Sequence, residues 1–239
     1  MGPSETAVLI VSILVVLGSA AYIVNHIEQQ RIQKRQLINA LKQEIRQAKH
    51  LVGQFPESLM TAELNRFLWQ FIHLQWKKLC TVSPTEQHQQ GLKMAEAQMQ
   101  NAFQPHGFRD GHLTVITDRN EAASSASTIR ELAQWLKSKS HRQTTSSETI
   151  RDLLGYCRYC YEQVAIDAMI FDAIDSEGIR GTQVAYHQYK SCLIALSKLD
   201  RGILVDAQIH ALKAHMEKIA PHSEESDQAS ASSETKSPE

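Results

Sequence analysis

The chain has 239 residues, with 25 Lys+Arg against 26 Asp+Glu, a formal net charge of -1, and only 10 Gly and 6 Pro. So few chain breakers argue against a strand-rich sandwich or barrel, which needs one about every 8–12 residues. The charge balance argues against a strongly basic nucleic-acid binder, and four Cys in so long a chain form no disulfide framework. The near-neutrality is a cancellation: residues 25–52 carry +4, residues 53–220 sum to zero, and residues 221–239 carry -4.

After a short flank (residues 1–6), Ala7 to Val24 reads AVLIVSILVVLGSAAYIV, without a charge, and uncharged residues extend it to Ile27. At about 1.5 Å per residue, a helix of this length covers roughly the 30 Å hydrocarbon core. Only a helix satisfies the backbone of a single span internally. The run lacks a basic N-terminal flank and exceeds the apolar core of a signal peptide, so residues 7–27 read as a retained transmembrane helix. Arg31, Lys34 and Arg35 follow it, and no Lys or Arg precedes it. The positive-inside rule then puts residues 1–6 outside and the rest in the cytoplasm, as a single-pass protein of the cytoplasmic membrane. The same three bases set topology and stand near the anionic headgroups of the lipid bilayer. A reducing compartment agrees with four scattered thiols.

In the basic juxtamembrane helix, residues 28–54, Ile38, Leu41, Ile45, Ala48 and Val52 repeat with 3-4-3-4 spacing. Two heptads of this coiled-coil-like seam predict an amphipathic helix, continuous with the span, that docks on the soluble region; self-association into a homo-oligomer is the alternative. Gly53 and Pro56 end it. Residues 55–140 read as helical, interrupted by a loop at 104–118. Thr61 caps a helix with Leu64, Phe67, Leu68, Phe71, Ile72 and Leu79 inward. Ser83-Pro84-Thr85-Glu86 reads as a capping box, with a helix to about Phe103. The loop holds His106, Arg109, Asp110 and His112, the densest polar cluster, with a brief strand predicted at Leu113–Thr117. It reads as a surface connection; a ligand or catalytic loop is the rival. Helix resumes by about Ser127 and runs to Lys139.

A polar linker, residues 138–147, precedes a second capping box, Thr145-Ser-Ser-Glu148. It opens a long helix with an inward register through Ile150, Leu154, Cys157, Tyr161, Val164, Ala168 and Phe171, ended by Ser176-Glu177-Gly178. Asp167, Asp172 and Asp175 then fall on a solvated face. Helices at about 182–198 and 203–220 follow, and short links pack the three antiparallel. The acidic tail, residues 221–239, has no aliphatic residue larger than Ala, a composition that predicts disorder.

The lone Cys157–Cys160 pair lies inside a helix, without further ligands at zinc spacing, and reads as buried thiols. His210 and His215 are five apart, so they diverge around a helix. No catalytic motif, cofactor motif or metal set is found. The expectation is a non-enzymatic, all-α protein.

The segment Ala185-Tyr-His-Gln-Tyr189-Lys-Ser-Cys192-Leu193 resembles the second helix of a tetratricopeptide (TPR) repeat, where a small residue, an aromatic, a small residue and Leu recur at these offsets. The resemblance covers residues 148–220. It departs in lacking a Trp-Leu-Gly pattern in 148–175 and in carrying Asp200 where proline is common. It implies a helical hairpin with a capping helix that binds a peptide or partner helix. The predicted function is a membrane-anchored interaction protein that holds a protein partner in a groove, with Arg158, Tyr186, Tyr189 and Lys190 as candidate contacts. Two alternatives stand beside it: a membrane-tethered enzyme or small-ligand binder using the His106–His112 loop, and a structural spacer self-associating through residues 27–52.

Overall fold

The computed structural model describes residues 3–101, 103–105, 107–109, 111–138, 147–199 and 203–220. Within these the protein is all-α. Its helices are α1 (Pro3–Gln54), α2 (Ala62–Val82), α3 (Glu86–Gln100), α4 (Arg119–Lys137), α5 (Ser147–Arg180), α6 (Thr182–Leu196) and α7 (Ile203–Ile219), with a 3-10 turn at Glu57–Leu59. The described residues sort into two compact units. One holds α1 to Gly53 with Asn65–Phe103; the other holds Gln54–Leu64 and the chain from Gln104 onward. The division does not fall at the polar linker 138–147, because α4 and α5 on either side of it pack together in the second unit.

The first unit is organised by α1, a continuous helix of 52 residues. Among the described residues, no helix is long and apolar enough to cross a membrane. The apolar run of residues 7–24 has all its side chains except that of Tyr22 outside the described ones. Further along, Leu41, Ile45 and Ala48 of the predicted seam are buried, joined by Leu51. Lys49 Nζ lies 5.6 Å from the Trp76 ring centroid, which sets this half of α1 beside α2. On α2, Leu64, Leu68, Phe71, Ile72 and Leu79 are buried as the period predicts, and Thr61 Oγ1 accepts from Leu64 N–H at 3.2 Å.

The α3 cap differs from the reading of the sequence. Thr85, not Ser83, is the N-cap and accepts from His88 N–H at 3.3 Å. Ser83 instead offers its carbonyl to His88 Nδ1 at 2.7 Å. Pro84 therefore precedes the helix rather than opening it. Gly91 is required by contact: a Cβ there would lie 2.6–2.8 Å from carbons of the Trp76 indole.

In the second unit α5 packs against α4 and α6, and α6 against α7. The core runs through Ile166, Ile170, Ala173, Ala185, Tyr189 and Cys192 to Leu196, Val205 and Leu212. The α4 helix starts at Arg119, eight residues before the predicted Ser127. Asp118 caps it, accepting from Glu121 N–H at 2.8 Å, while Glu121 Oε2 reaches back to Thr117 N–H at 2.9 Å. This reciprocal pair satisfies two donors, one at the helix start and one just before it, which lets the small residues Ala122–Ser127 stay helical.

The α5 helix passes Ser176-Glu177-Gly178 and ends at Arg180. Its reversal is made by Gly181, at φ +90, in a region open to glycine at no steric cost. Its buried face is also rotated from the predicted one. Leu153, Cys157, Cys160, Val164, Asp167, Ile170 and Ala173 are buried, whereas Tyr161 is exposed. The predicted capping Thr145 lies outside the described residues.

Candidate functional site

The most consequential correction concerns Asp167. The sequence suggests a solvated acid; the structure buries it completely. Its Oδ2 accepts from the backbone N–H groups of Val115 and Ile116, both at 2.9 Å. Its Oδ1 accepts from Gln208 Nε2 at 2.7 Å and Gln163 Nε2 at 3.2 Å. Gln208 Nε2 also donates to the Leu113 carbonyl at 2.9 Å. Thus α5, α7 and the loop before α4 meet at one carboxylate. Burial outweighs these hydrogen bonds and holds the carboxyl at about 6, above its ordinary value, so it is largely ionised at neutral pH. The predicted strand at Leu113–Thr117 is absent among the described residues. The backbone donors that would pair with a neighbouring strand are taken by Asp167 instead.

This anchoring positions the loop as one wall of an open cleft of about 1050 Å³. The loop supplies Phe108, His112, Leu113 and Thr117; α5 supplies Phe171, Ile174 and Glu177. The α7 wall presents Ala207, Ala211 and Ala214, whose small side chains leave room, with His210, His215 and Lys218 beside them. Gly111, at φ +80, turns the loop at this wall, and His112 N–H donates to Arg109 O at 3.2 Å. His106 and Asp110, two of the four polar loop residues, lie outside the described residues.

Among the described residues Glu177 is the only acid lining the cleft, and it is engaged. Its Oε2 accepts from Tyr189 Oη and pairs with His215 Nε2, each at 2.9 Å. Burial alone would raise the Glu177 carboxyl, but the bonds from His215 and Tyr189 win and lower it. Burial first, and Glu177 second, push the Tyr189 hydroxyl upward, so it stays a protonated donor. The Tyr189 ring stands edge-on to His215, with centroids 5.1 Å apart. Glu177 Oε2 therefore ties Tyr189 and His215 together at the cleft.

Of the predicted contact residues, only Tyr189 lines the cleft. Its side chain is fully buried in the core. Tyr186 packs partly buried against that core. Arg158 is exposed and pairs with Glu162 at 2.9 Å, one helical turn on, and Lys190 is exposed. Arg31, Lys34 and Arg35 are all exposed on α1. Asp172 and Asp175 do face solvent, where Arg119 bridges them at 2.7 Å each.

Sequence reasoning missed Glu177, His215, Gln163, Gln208 and Asp167. One signal was present: Gln163 and Asp167 are four apart beside the buried stripe of Cys160, Val164 and Ile170. His210 and His215 are about 140° apart around α7 at 3.6 residues per turn, yet both line the cleft, because its wall wraps a wide arc of the helix. Among the described residues no three His, Cys, Asp or Glu side chains form a metal site. Cys157, Cys160 and Cys192 are buried free thiols, and burial pushes them to about 11, 12 and 11. Such thiols are poor nucleophiles and poor metal ligands at neutral pH. No family model, curated protein or solved structure matches the chain.

Proposed function

We propose that this protein is a single-pass, membrane-anchored interaction protein that holds a partner segment in the cleft of its second unit, on the cytoplasmic side. The cleft carries this reading. Its volume of about 1050 Å³ falls above the usual 300–1,000 Å³ of small-molecule sites. Its apolar walls, Phe171 and Ile174, face an alanine stripe that admits a helix or extended peptide. Its rim, the cation Lys218 with the imidazoles of His112 and His210, suits a partner carrying an acid beside an apolar anchor. The resemblance of Ala185–Leu193 to a TPR helix supports the same mode, since the small residues Ala185 and Cys192 are buried where helices approach closely.

The anchor is supported by the eighteen uncharged residues from Ala7 to Val24 and by the one-sided placement of Arg31, Lys34 and Arg35. Removal of residues 7–24 should release the protein from carbonate-washed membranes. The partner reading is tested by capture with the full-length chain beside A211W and A214W variants, which fill the cleft from partly exposed positions. A partner retained by the unmodified chain and lost from both variants supports the reading. Equal recovery on all three would refute it.

A second reading, a small-ligand site, is favoured by one observation: His112 and Thr117 of the polar loop share the cleft with the Glu177–His215 pair. Self-association through residues 27–52 has less support, since Leu41, Ile45 and Ala48 are buried within the single chain.

A further inference from the structure

The first unit carries a separate cavity of about 420 Å³, lined from α1 by Lys42, Arg46 and Lys49 and from α2 and α3 by Trp76 and His88. The three bases follow at i, i+4 and i+7, so they share one helix face over about 10 Å of axial rise. All three are exposed, and among the described residues no carboxylate lines the cavity. Glu44, the acid nearest them on α1, is half-buried and interacts with Lys78 instead. Lys49 is held over the Trp76 ring, which steers its ammonium without neutralising it.

His88 adds an observation of its own. It is 4 % exposed, yet its ring forms part of the cavity wall. Its Nδ1 must donate to Ser83 O, a carbonyl that only accepts. In the neutral ring Nε2 is then a lone-pair acceptor, so His88 shapes the wall, and the donors offered to an anion are Lys42, Arg46 and Lys49. A concave site with three cations on one helix face and, among the described residues, no carboxylate in its lining is arranged for an anion.

We propose that Lys42, Arg46 and Lys49, with the Trp76–His88 wall, form a binding site for a small molecule bearing two or more phosphate groups. The volume suits a small molecule rather than a helix, and three cations spread over about 10 Å match several anionic groups better than one carboxylate. The site is distinct from the bases that flank the apolar run. Lys42 lies fifteen residues beyond Ile27, about 22 Å of straight helix, whereas the headgroup layer is only about 5–8 Å deep. Arg31, Lys34 and Arg35 lie within about 12 Å of Ile27. This distance, unlike the cavity, rests on the proposed anchor. It favours a soluble ligand over a lipid headgroup.

The test is titration calorimetry of inositol hexakisphosphate into the full-length chain in phosphatidylcholine nanodiscs. Saturable one-to-one binding is expected. K42Q/R46Q/K49Q should weaken it at least about tenfold, the scale of losing charge-assisted hydrogen bonds. The charge-matched R31Q/K34Q/R35Q should leave it within about twofold. All six positions are exposed, and unchanged melting of both triple variants verifies the fold. Absence of saturable binding, or equal weakening by the two triples, overturns the proposal. Repeating the titration of the unmodified chain in nanodiscs containing phosphatidylinositol bisphosphate identifies the source: unchanged heat supports a soluble ligand, and abolished heat overturns that source in favour of a headgroup in the same site.

Discussion

Asp167→Ala removes the acceptor on which four donors of the second unit converge. The two glutamines keep other partners, because Gln163 Nε2 donates to Gln208 Oε1 at 2.6 Å and Gln208 Nε2 to Leu113 O at 2.9 Å. The Val115 and Ile116 N–H groups have none, and both residues are buried. Two stranded backbone donors at about 1–3 kcal/mol each give roughly 4 kcal/mol. Relief from burying a charge returns part of this, leaving a net loss of about 2–4 kcal/mol. Asp167→Asn keeps one oxygen for the backbone pair but turns an amide toward the donor nitrogens of Gln163 and Gln208. Gln208 cannot flip to accommodate it without placing its own oxygen against Leu113 O. The cost should be smaller, about 1–2 kcal/mol. Urea unfolding of the full-length chain in detergent measures both, and hydrogen exchange at the Val115 and Ile116 amides reports the loop directly. A loss below about 1 kcal/mol for the alanine variant, with both amides still protected, would show that the carboxylate does not hold the loop.

The same carboxylate gives a pH signature. Its folded value of about 6 lies above 3.8, so its contribution is full below pH 4 and is lost as pH rises through 6, by about 3 kcal/mol at most. Glu177, lowered by its donors, acts oppositely: its contribution is present above pH 4.5 and lost on further acidification. Melting of D167N across pH 4–7 should lack the rise toward pH 5 that the unmodified chain shows. Gly91→Ala gains helix propensity, but its methyl meets the Trp76 indole at 2.6–2.8 Å. A net loss of about 1–3 kcal/mol is expected, relieved in G91A/W76L, and read by denaturation with tryptophan fluorescence. Tyr189→Phe deletes the bond to the part-exposed Glu177 and should cost about 1 kcal/mol while keeping the ring contact with His215. In native protein Cys80, the one partly exposed thiol, should react first with Ellman's reagent, and Cys157, Cys160 and Cys192 only on unfolding. Equal rates for all four would contradict their burial.

Much of the helical framework is legible along the chain. The apolar period of Leu64 to Leu79 predicts the buried face of α2, Thr61 predicts its cap, and Ala185, Tyr189 and Cys192 predict the buried face of α6. These signals are local: a cap bonds three residues away, and a helical stripe repeats within a turn. Where two local readings compete, the chain is ambiguous. Both Ser83 and Thr85 can cap α3, and packing of Trp76 against Gly91 and His88 accompanies the choice of Thr85. The α4 start is hidden by Ala122–Ser127, which are small and polar, although Asp118 and Glu121 mark it three residues apart.

The α5 face shows the deeper limit. Two registers run along this helix. One is apolar through Leu154, Tyr161 and Ala168; the other is interrupted by Gln163 and Asp167. Hydrophobicity alone selects the first, because an acid inside a core is costly unless it is paired. The structure buries the second, because Gln208 and the amides of Val115 and Ile116 arrive from 41, 52 and 51 residues away. Composition, apolar period and capping residues therefore determine by themselves that the chain is helical and which faces of α2 and α6 turn inward. Only the tertiary structure decides which acid is interior, which loop is pinned, and that a cleft opens between α5 and α7. Those outcomes depend on donors that no window of neighbouring residues contains.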